Sequence, residues 1–329
     1  MLHIHNGDSS ADTAKLSTLP GEHFAFREAL IEGPTPAGLD QAEWLRVRAD
    51  HLAEGYGENA QQIERDLVEQ QRKLLTVADH EETVLWFEHD LFCQVNLIYL
   101  LDWFAKHGLG KTKLSLVCIG EFPGKRNFRG LGELDAAELA SLFPDRQPVT
   151  PEQLDLATSA WTAYCASEPT GIQTLLQTDT SALPFLAAAL TAHLKRFPSS
   201  QNGLGRVEQT SLELISGGGT NFATLFRSFI EREPTYGLGD AQLWLALRRM
   251  SEAPQPLIEI SADGATVDAH PPELHKSEFA ITDIGRSVLK GDADFIALND
   301  INLWLGGVQL AGDLKIWRWD YKSQRVAQT

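Results

Sequence analysis

The sequence predicts an α/β protein: a Rossmann-like, mainly parallel sheet, followed by a helical connector and a winged-helix-like α+β region. Three observations carry this. Short apolar runs at Leu2–His5, His23–Phe26, Val84–Phe87 and Leu114–Ile119 alternate with helical segments, the order of a parallel sheet. The run Val84–Phe87 is unbroken in its apolar character, as befits a strand covered on both faces. From residue 206 the pattern changes to three helices, two strand-like runs and a closing helix. With 329 residues, two domains are expected rather than one. The boundaries fall at 1–147, 148–200 and 201–329.

Leu2–His5 leads into Asn6-Gly7-Asp8-Ser9-Ser10, a small polar turn, and Ala11–Leu19 then has helical character. Backbone N–H groups at such a helix start favour anions, although neither a G-x-G-x-x-G nor a P-loop pattern is present. Asp8 or Ser9 acting only as a helix cap is the plainer reading. The second strand ends in Arg27-Glu28, and Glu32-Gly33-Pro34-Thr35-Pro36 marks an irregular loop. Arg27 there suits a phosphate or carboxylate, or an ion pair that merely pins the loop. Helices are expected from Asp40 to about Ala53 and from Asn59 to Val77, the latter with Ile63, Leu67, Leu74 and Leu75 at helical spacing.

The central stretch is T-V-L-W-F-E-H-D-L-F-C-Q, residues 83–94. A buried strand there stops on Glu88, His89 and Asp90, and an amphipathic helix follows from Leu91 to Lys106. The fourth strand ends at Gly120-Glu121. In open parallel sheets, ligands bind beyond the carboxyl ends of the strands. Those ends bring together Asn6, Gly7, Asp8 and Ser9, then Arg27 and Glu28, then Glu88, His89, Asp90 and Gln94. Left unpartnered in the interior, such groups cost on the order of a few kcal/mol each. They are therefore expected to be solvated, mutually bonded or ligated.

Two chemistries suit this set. Asp8, Glu88 and Asp90 offer oxygen ligands to Mg²⁺ or Mn²⁺, with Asp8 and Asp90 the pair expected to hold the metal and Arg27 on a phosphate. Alternatively, His89 serves as a general acid/base oriented by a neighbouring carboxylate. Adjacent residues of a strand point to opposite faces, so Glu88 and Asp90 are expected on one face and His89 on the other. A capping Asp90 with a loop-pinning His89 is the structural alternative. His3 and His5 share a strand face and form an i,i+2 pair, more often packing than zinc. Lys125, Arg126 and Arg129 lie in or beside the loop Phe128–Leu134, which reads as an anion-binding lid or as a surface turn.

The formal charge of −17 weighs against broad nucleic-acid or anionic-membrane binding. Three cysteines without C-x-x-C fit a reducing compartment, and no signal peptide or membrane span is recognisable. A cytoplasmic protein is expected. Residues 148–197 read as helices only, and Pro198–Gly205 as the clearest linker. Helices are expected at Arg206–Ser216, Asn221–Ile230 and Gly239–Met250, with strands at Leu257–Ile260 and near Phe279–Thr282. The C-terminal region carries 12 Lys/Arg against 17 Asp/Glu, and its third helix offers only Arg248 and Arg249. Its wing loop is acidic or neutral. DNA binding is therefore disfavoured against packing or homodimerisation. Asn302–Leu310 and Leu314–Trp319 are expected to form a final hairpin.

The segments H-I-H-N-G-D-S-S, F-R-E-A-L-I-E-G-P and W-F-E-H-D-L-F-C-Q resemble a bacterial family known as domain of unknown function 1835. Downstream, R-G-L-G-E-L, T-D-I-G-R-S-V-L and N-L-W-L-G-G-V-Q-L are similar to its longer members. The resemblance implies a Rossmann-like N-terminal domain and lends no reaction. On the residues alone, the crevice is expected to bind a phosphorylated or nucleotide-like anion, with Mg²⁺ a candidate cofactor and metal-assisted hydrolysis or transfer the reaction class. The other expectation is a non-enzymatic regulator acting through the winged helix on DNA or a protein.

Overall fold

A computed structural model describes residues 1–219, 221–262, 277–312 and 316–329. Strand β1 (Leu2–Asn6) leads into helix α1 (Asp8–Lys15), and β2 (Glu22–Phe26) returns beside β1. The next loop contains the two-residue strand β3 (Gly33–Pro34). Helices α2 (Gln41–Tyr56) and α3 (Ala60–Leu75) follow, capped by Asp40 and Asn59. Then come β4 (Glu82–Glu88), α4 (Leu91–His107), β5 (Lys113–Ile119), α5 (Ala136–Ser141) and the short edge strand β6 (Gln147–Pro148). The sheet order is β2-β1-β4-β5-β6, parallel except for β6. The chain thus starts in β1, moves outward to β2 and reappears on the other side of β1 as β4. The order reverses between β1 and β4, where parallel sheets open a crevice at their carboxyl ends.

Two local expectations need correction. Helix α1 begins at Asp8, so residues 8–10 are its first turn rather than a preceding loop. Gly7 holds the cap position and no side chain caps this helix, so neither Asp8 nor Ser9 does so. Helix α4 is not amphipathic: it is buried continuously from Cys93 to Phe104. The sheet covers one side, while α6 (Pro151–Cys165) and α8 (Leu186–Leu194) pack on it from the connector, which also contains α7 (Thr170–Leu175). A helix covered all round needs no polar face.

The C-terminal region runs α9 (Arg206–Ser216), α10 (Phe222–Arg232), α11 (Asp240–Glu252), β7 (Ile258–Ala262), β8 (Ser277–Ile281), α12 (Asp283–Lys290) and α13 (Phe295–Asn299). Strands β7 and β8 are antiparallel; the expected wing loop falls on residues 263–276, outside the described residues. The expected final hairpin is instead two. Strands β9 (Asn302–Gly306) and β10 (Val308–Ala311) turn at Gly306-Gly307, and β11 (Trp317–Asp320) pairs with β12 (Arg325–Gln328). Part of the run 314–319 lies outside the described residues. The segment 198–205 is mostly buried rather than an exposed linker: Trp319 N donates to Pro198 O, and Arg318 to Ser199 O. Among the described residues no helix is long and apolar enough to cross a membrane.

The loop after β2 ties these parts together. Arg48 of α2 is fully buried and donates to the Glu28 carboxylate at 2.7 Å and to the carbonyls of Ala29 and Glu32. Arg196, just beyond α8, donates to the Glu32 carboxylate at 2.9 Å and to Ile31 O at 2.6 Å. Strand β3 then pairs in parallel with β9. Removing one partner of a buried pair leaves an uncompensated charge. Arg48→Met is expected to destabilise the protein by about 3–5 kcal/mol in urea unfolding, and a loss under 1 kcal/mol would contradict this account.

His3, His5 and His23 stack on the face of β1 and β2 that also carries Trp86. His3 accepts from Trp86 Nε1 at 3.0 Å and bonds Pro20 O at 2.8 Å, so both ring nitrogens are used. His5 Nε2 pairs with His23 Nδ1 at 3.1 Å. No metal pair is open at positions 3 and 5. Burial lowers His3 to about 4 and His5 to about 2. Below pH 6.5 the unfolded chain takes up protons that the folded chain refuses. Stability is therefore full above that pH and falls as acid is added, by about 1.4 kcal/mol per pH unit for each such histidine. The raised Glu88 and Asp90 carboxyls act in the opposite sense over the same range, so the histidine share is read by difference: urea unfolding between pH 7 and pH 5 is expected to lose less stability in His5→Gln than in the unaltered protein.

Candidate functional site

The crevice at the reversal point is about 330 Å³. Asn6 from the end of β1, Ser9 and Ser10 from the first turn of α1, and Glu88 and Asp90 from the end of β4 line its sheet side. Arg129 and Gly130 cover it from the loop before α5. The opposite wall comes from the C-terminal region: Phe229, Ile230, Glu233, Pro234 and Leu238.

An acidic cluster forms its floor. Asp90 caps α4, accepting from Cys93 N at 2.8 Å. That cap turns the first turn of α4 so that the Cys93 thiol meets Glu88 Oε2. Glu88 Oε1 accepts from Leu131 N at 2.6 Å. Asn6 Nδ2 donates to Cys93 Sγ at 2.8 Å, and Asn96 Nδ2 to Asn6 Oδ1 at 2.7 Å. Burial, reinforced by the charge of Asp90, raises the Glu88 carboxyl to about 7. Burial also raises Asp90 and pushes the Cys93 thiol well above its usual range. Glu88, Asp90 and Cys93 each offer a ligand atom, all within 4.8 Å of one another, a set able to take a divalent cation.

The expected constellation therefore divides. Asn6, Ser9, Glu88, Asp90 and Arg129 meet in one cleft. Gly7, Asp8, Arg27 and Glu28 line a different one, of about 770 Å³, between β2 and the helices α2 and α3. Asp8 is held there by two-pronged bonding to Arg27 at 2.6–2.9 Å, and that guanidinium keeps its carboxyl below the usual range. The expected metal pair Asp8 and Asp90 is not brought together; Asp90 groups with Glu88 and Cys93 instead. Glu28 is consumed by Arg48. Gln94 donates to Glu88 O at 2.7 Å and so fixes the strand end from behind. His89 lies just beyond the end of β4 and does not line the cleft; its ring meets Phe185 edge-on at 6.0 Å. Arg129 is bonded to Glu133 at 2.5 Å on the exposed rim.

Sequence reasoning missed Cys93 as a site residue, although it stands one turn after the Asp90 cap. It missed the entire C-terminal wall, for which no local pattern exists. It also missed two close approaches. Gly130 has φ 150° and a Cβ there would lie 2.8 Å from Glu88 Oε1; Gly237 has φ 62° and a Cβ there would collide with the Asp90 carboxylate. Bare backbone from two separate segments thus presses on the two acids. Comparison with family models and with curated proteins finds no match to this chain.

Gly237→Ala is expected to displace Asp90 and to destabilise the protein by about 1–3 kcal/mol through strain at a positive φ. Thermal unfolding checks the second effect. A structure of the variant with Asp90 unmoved would contradict the first.

Proposed function

We propose that the crevice binds a phosphorylated or nucleotide-like small molecule and acts on it as a hydrolase or transferase, with Glu88 carrying the proton. The observation that supports this is the Glu88 carboxyl, held near neutrality by burial and by Asp90 while lining a cleft at the sheet's reversal point. A group with that affinity both gives and takes a proton at physiological pH. Ser9 and Ser10 of the first turn of α1 line the same cleft and offer hydroxyl donors to an anion, whereas Gly7 and Asp8 open on the other cleft. Arg129 at the rim is paired with Glu133, which lines the cleft beside it, so a ligand anion would have to compete for it. Glu88, Asp90 and Cys93 also offer ligand atoms for a divalent cation, which would bind in place of the Glu88 proton and not beside it. The thiolate-forming ligand favours zinc over magnesium in that set.

The regulator reading has less support. The three helices and the β7–β8 pair suit a winged helix, but Arg248 is bonded to Glu252 and Arg249 to Glu208. That leaves the third helix without the free positive charge a DNA phosphate needs. The order of motifs continues to support placement beside the domain of unknown function 1835 family, and the three cysteines support a cytoplasmic location.

Thermal-shift measurements with nucleotides and sugar phosphates, with and without Mg²⁺ or Zn²⁺, test the reading. At least one phosphorylated ligand is expected to stabilise the protein, and Glu88→Gln to lower any turnover by about 10²–10⁴-fold. Where Glu88 acts as the acid, turnover falls as pH rises through about 7. The absence of any shift from all anionic ligands would refute the proposal.

A further inference from the structure

We infer that a second site, near the far end of α4, binds a small primary ammonium ion whose N–H donates to Asp102 Oδ1. A pocket of about 270 Å³ opens there between the loop 36–41 and the helices α2, α4 and α6. Asp102 stands about three turns along α4 from the Asp90 cap, and the pocket shares no lining residue with the acidic crevice. Four aromatic side chains line it: Trp44 from α2, Tyr99 and Trp103 from α4, and Trp161 from α6. Trp44 stacks on Tyr99 at 5.6 Å, and Trp161 meets Tyr99 edge-on at 5.1 Å. Aromatic faces carry negative charge density, so such a lining suits a cation and rejects an anion.

The same pocket holds a carboxylate with one oxygen to spare. Asp102 is 3% exposed, and Lys106, one turn on, donates to Oδ2 at 2.7 Å. Oδ1 is buried and has no hydrogen-bond partner among the described residues. A buried charged oxygen without a donor is costly, and a ligand that brings an N–H removes that cost. The Lys106 side chain is 58% exposed, so it reaches Asp102 from the solvent side. The other polar groups of the wall are spoken for. Asp40 caps α2, and His107 stacks on Trp103 at 4.1 Å. Burial holds the Cys165 thiol up at about 12, so it adds no charge. Carboxylates on the wall thus outnumber ammonium groups, Asp40 and Asp102 against Lys106. A primary ammonium answers both features, because its charge meets the rings and its N–H meets Oδ1. A quaternary ammonium brings the charge alone, and an alcohol brings the donor alone. The volume lies just under the roughly 300 Å³ of the smallest common ligand pockets, which limits the ligand to a small amine.

Three of the eight tryptophans line the pocket, so tryptophan fluorescence reads its occupancy. Titrations with butylammonium, butan-1-ol and butyltrimethylammonium at one ionic strength test the inference. Butylammonium is expected to bind about tenfold or more tightly than either analogue. Asp102→Asn is expected to remove the preference over butan-1-ol. Lys106→Met frees Oδ2 and is expected to tighten butylammonium about threefold. The comparison of the three ligands uses the unaltered protein, so a variant that fails to fold does not spare the inference. It is overturned if butylammonium shows no saturable binding, or if either analogue binds equally well. Weaker binding of butylammonium to a folded Lys106→Met overturns it too.

Discussion

The fold depends on two buried ion pairs within one loop. Glu28 with Arg48, and Glu32 with Arg196, take four charges out of water between residues 28 and 32. Such pairs rarely gain net stability over apolar packing, because desolvation offsets the attraction. Their effect here is to specify geometry. The guanidiniums also accept the task of bonding carbonyls of Ala29, Ile31 and Glu32, which have no sheet or helix partner of their own. The loop so fixed presents Gly33 and Pro34 to β9 as a strand. One arginine comes from the N-terminal helices and the other from the connector. The pairs therefore fasten three segments that are far apart in sequence.

The crevice follows from that fastening. The sheet alone provides an open lip, with Asn6, Glu88 and Asp90 at the reversal point. The second wall exists only because the C-terminal region is held against it. Pro234–Tyr236, at the end of α10, packs on α8 and α4 and brings Gly237 onto Asp90 and Glu233 to the cleft. The Glu28 pair and the site are also joined directly, since Asn96 donates both to Glu28 O and to Asn6 Oδ1. The loop that organises the fold and the strand end that carries the acids thus share one hydrogen-bond chain.

Much of the sheet was legible because its signals are local. Apolar runs marked β4 and β5, and Asp40 and Asn59 marked helix starts where the structure has them. Glu88 and Asp90 do share the cleft without His89, but the reason is the Asp90 cap of α4 and not strand alternation, because β4 ends at Glu88. What misled was proximity by strand end alone. Asp8 stands beside Ser9 in sequence, yet the helix begins at Asp8, and its side chain turns to Arg27 and the outer cleft while Ser9 turns inward. Arg48 and Arg196 were illegible because a buried arginine has no sequence mark apart from its partner. Gly237 was illegible for a related reason: it matters through its approach to Asp90, far back along the chain, and no periodicity encodes that.

The acidic cluster has a consequence for how occupancy and proton state are linked. Glu88, Asp90 and Cys93 bring two carboxylates and a thiol within 4.8 Å, at a depth where separate negative charges are strongly disfavoured. The cluster by itself keeps protons that exposed carboxylates would lose, because burial raises all three groups together. A cation arriving there replaces those protons, and an anion arriving at the α1 start adds to the repulsion and holds them more tightly. Ligand charge thus sets whether Glu88 is acid or base. The two glycine backbones that crowd the acids serve the same end, because they exclude the water that would otherwise return both carboxylates to their ordinary range.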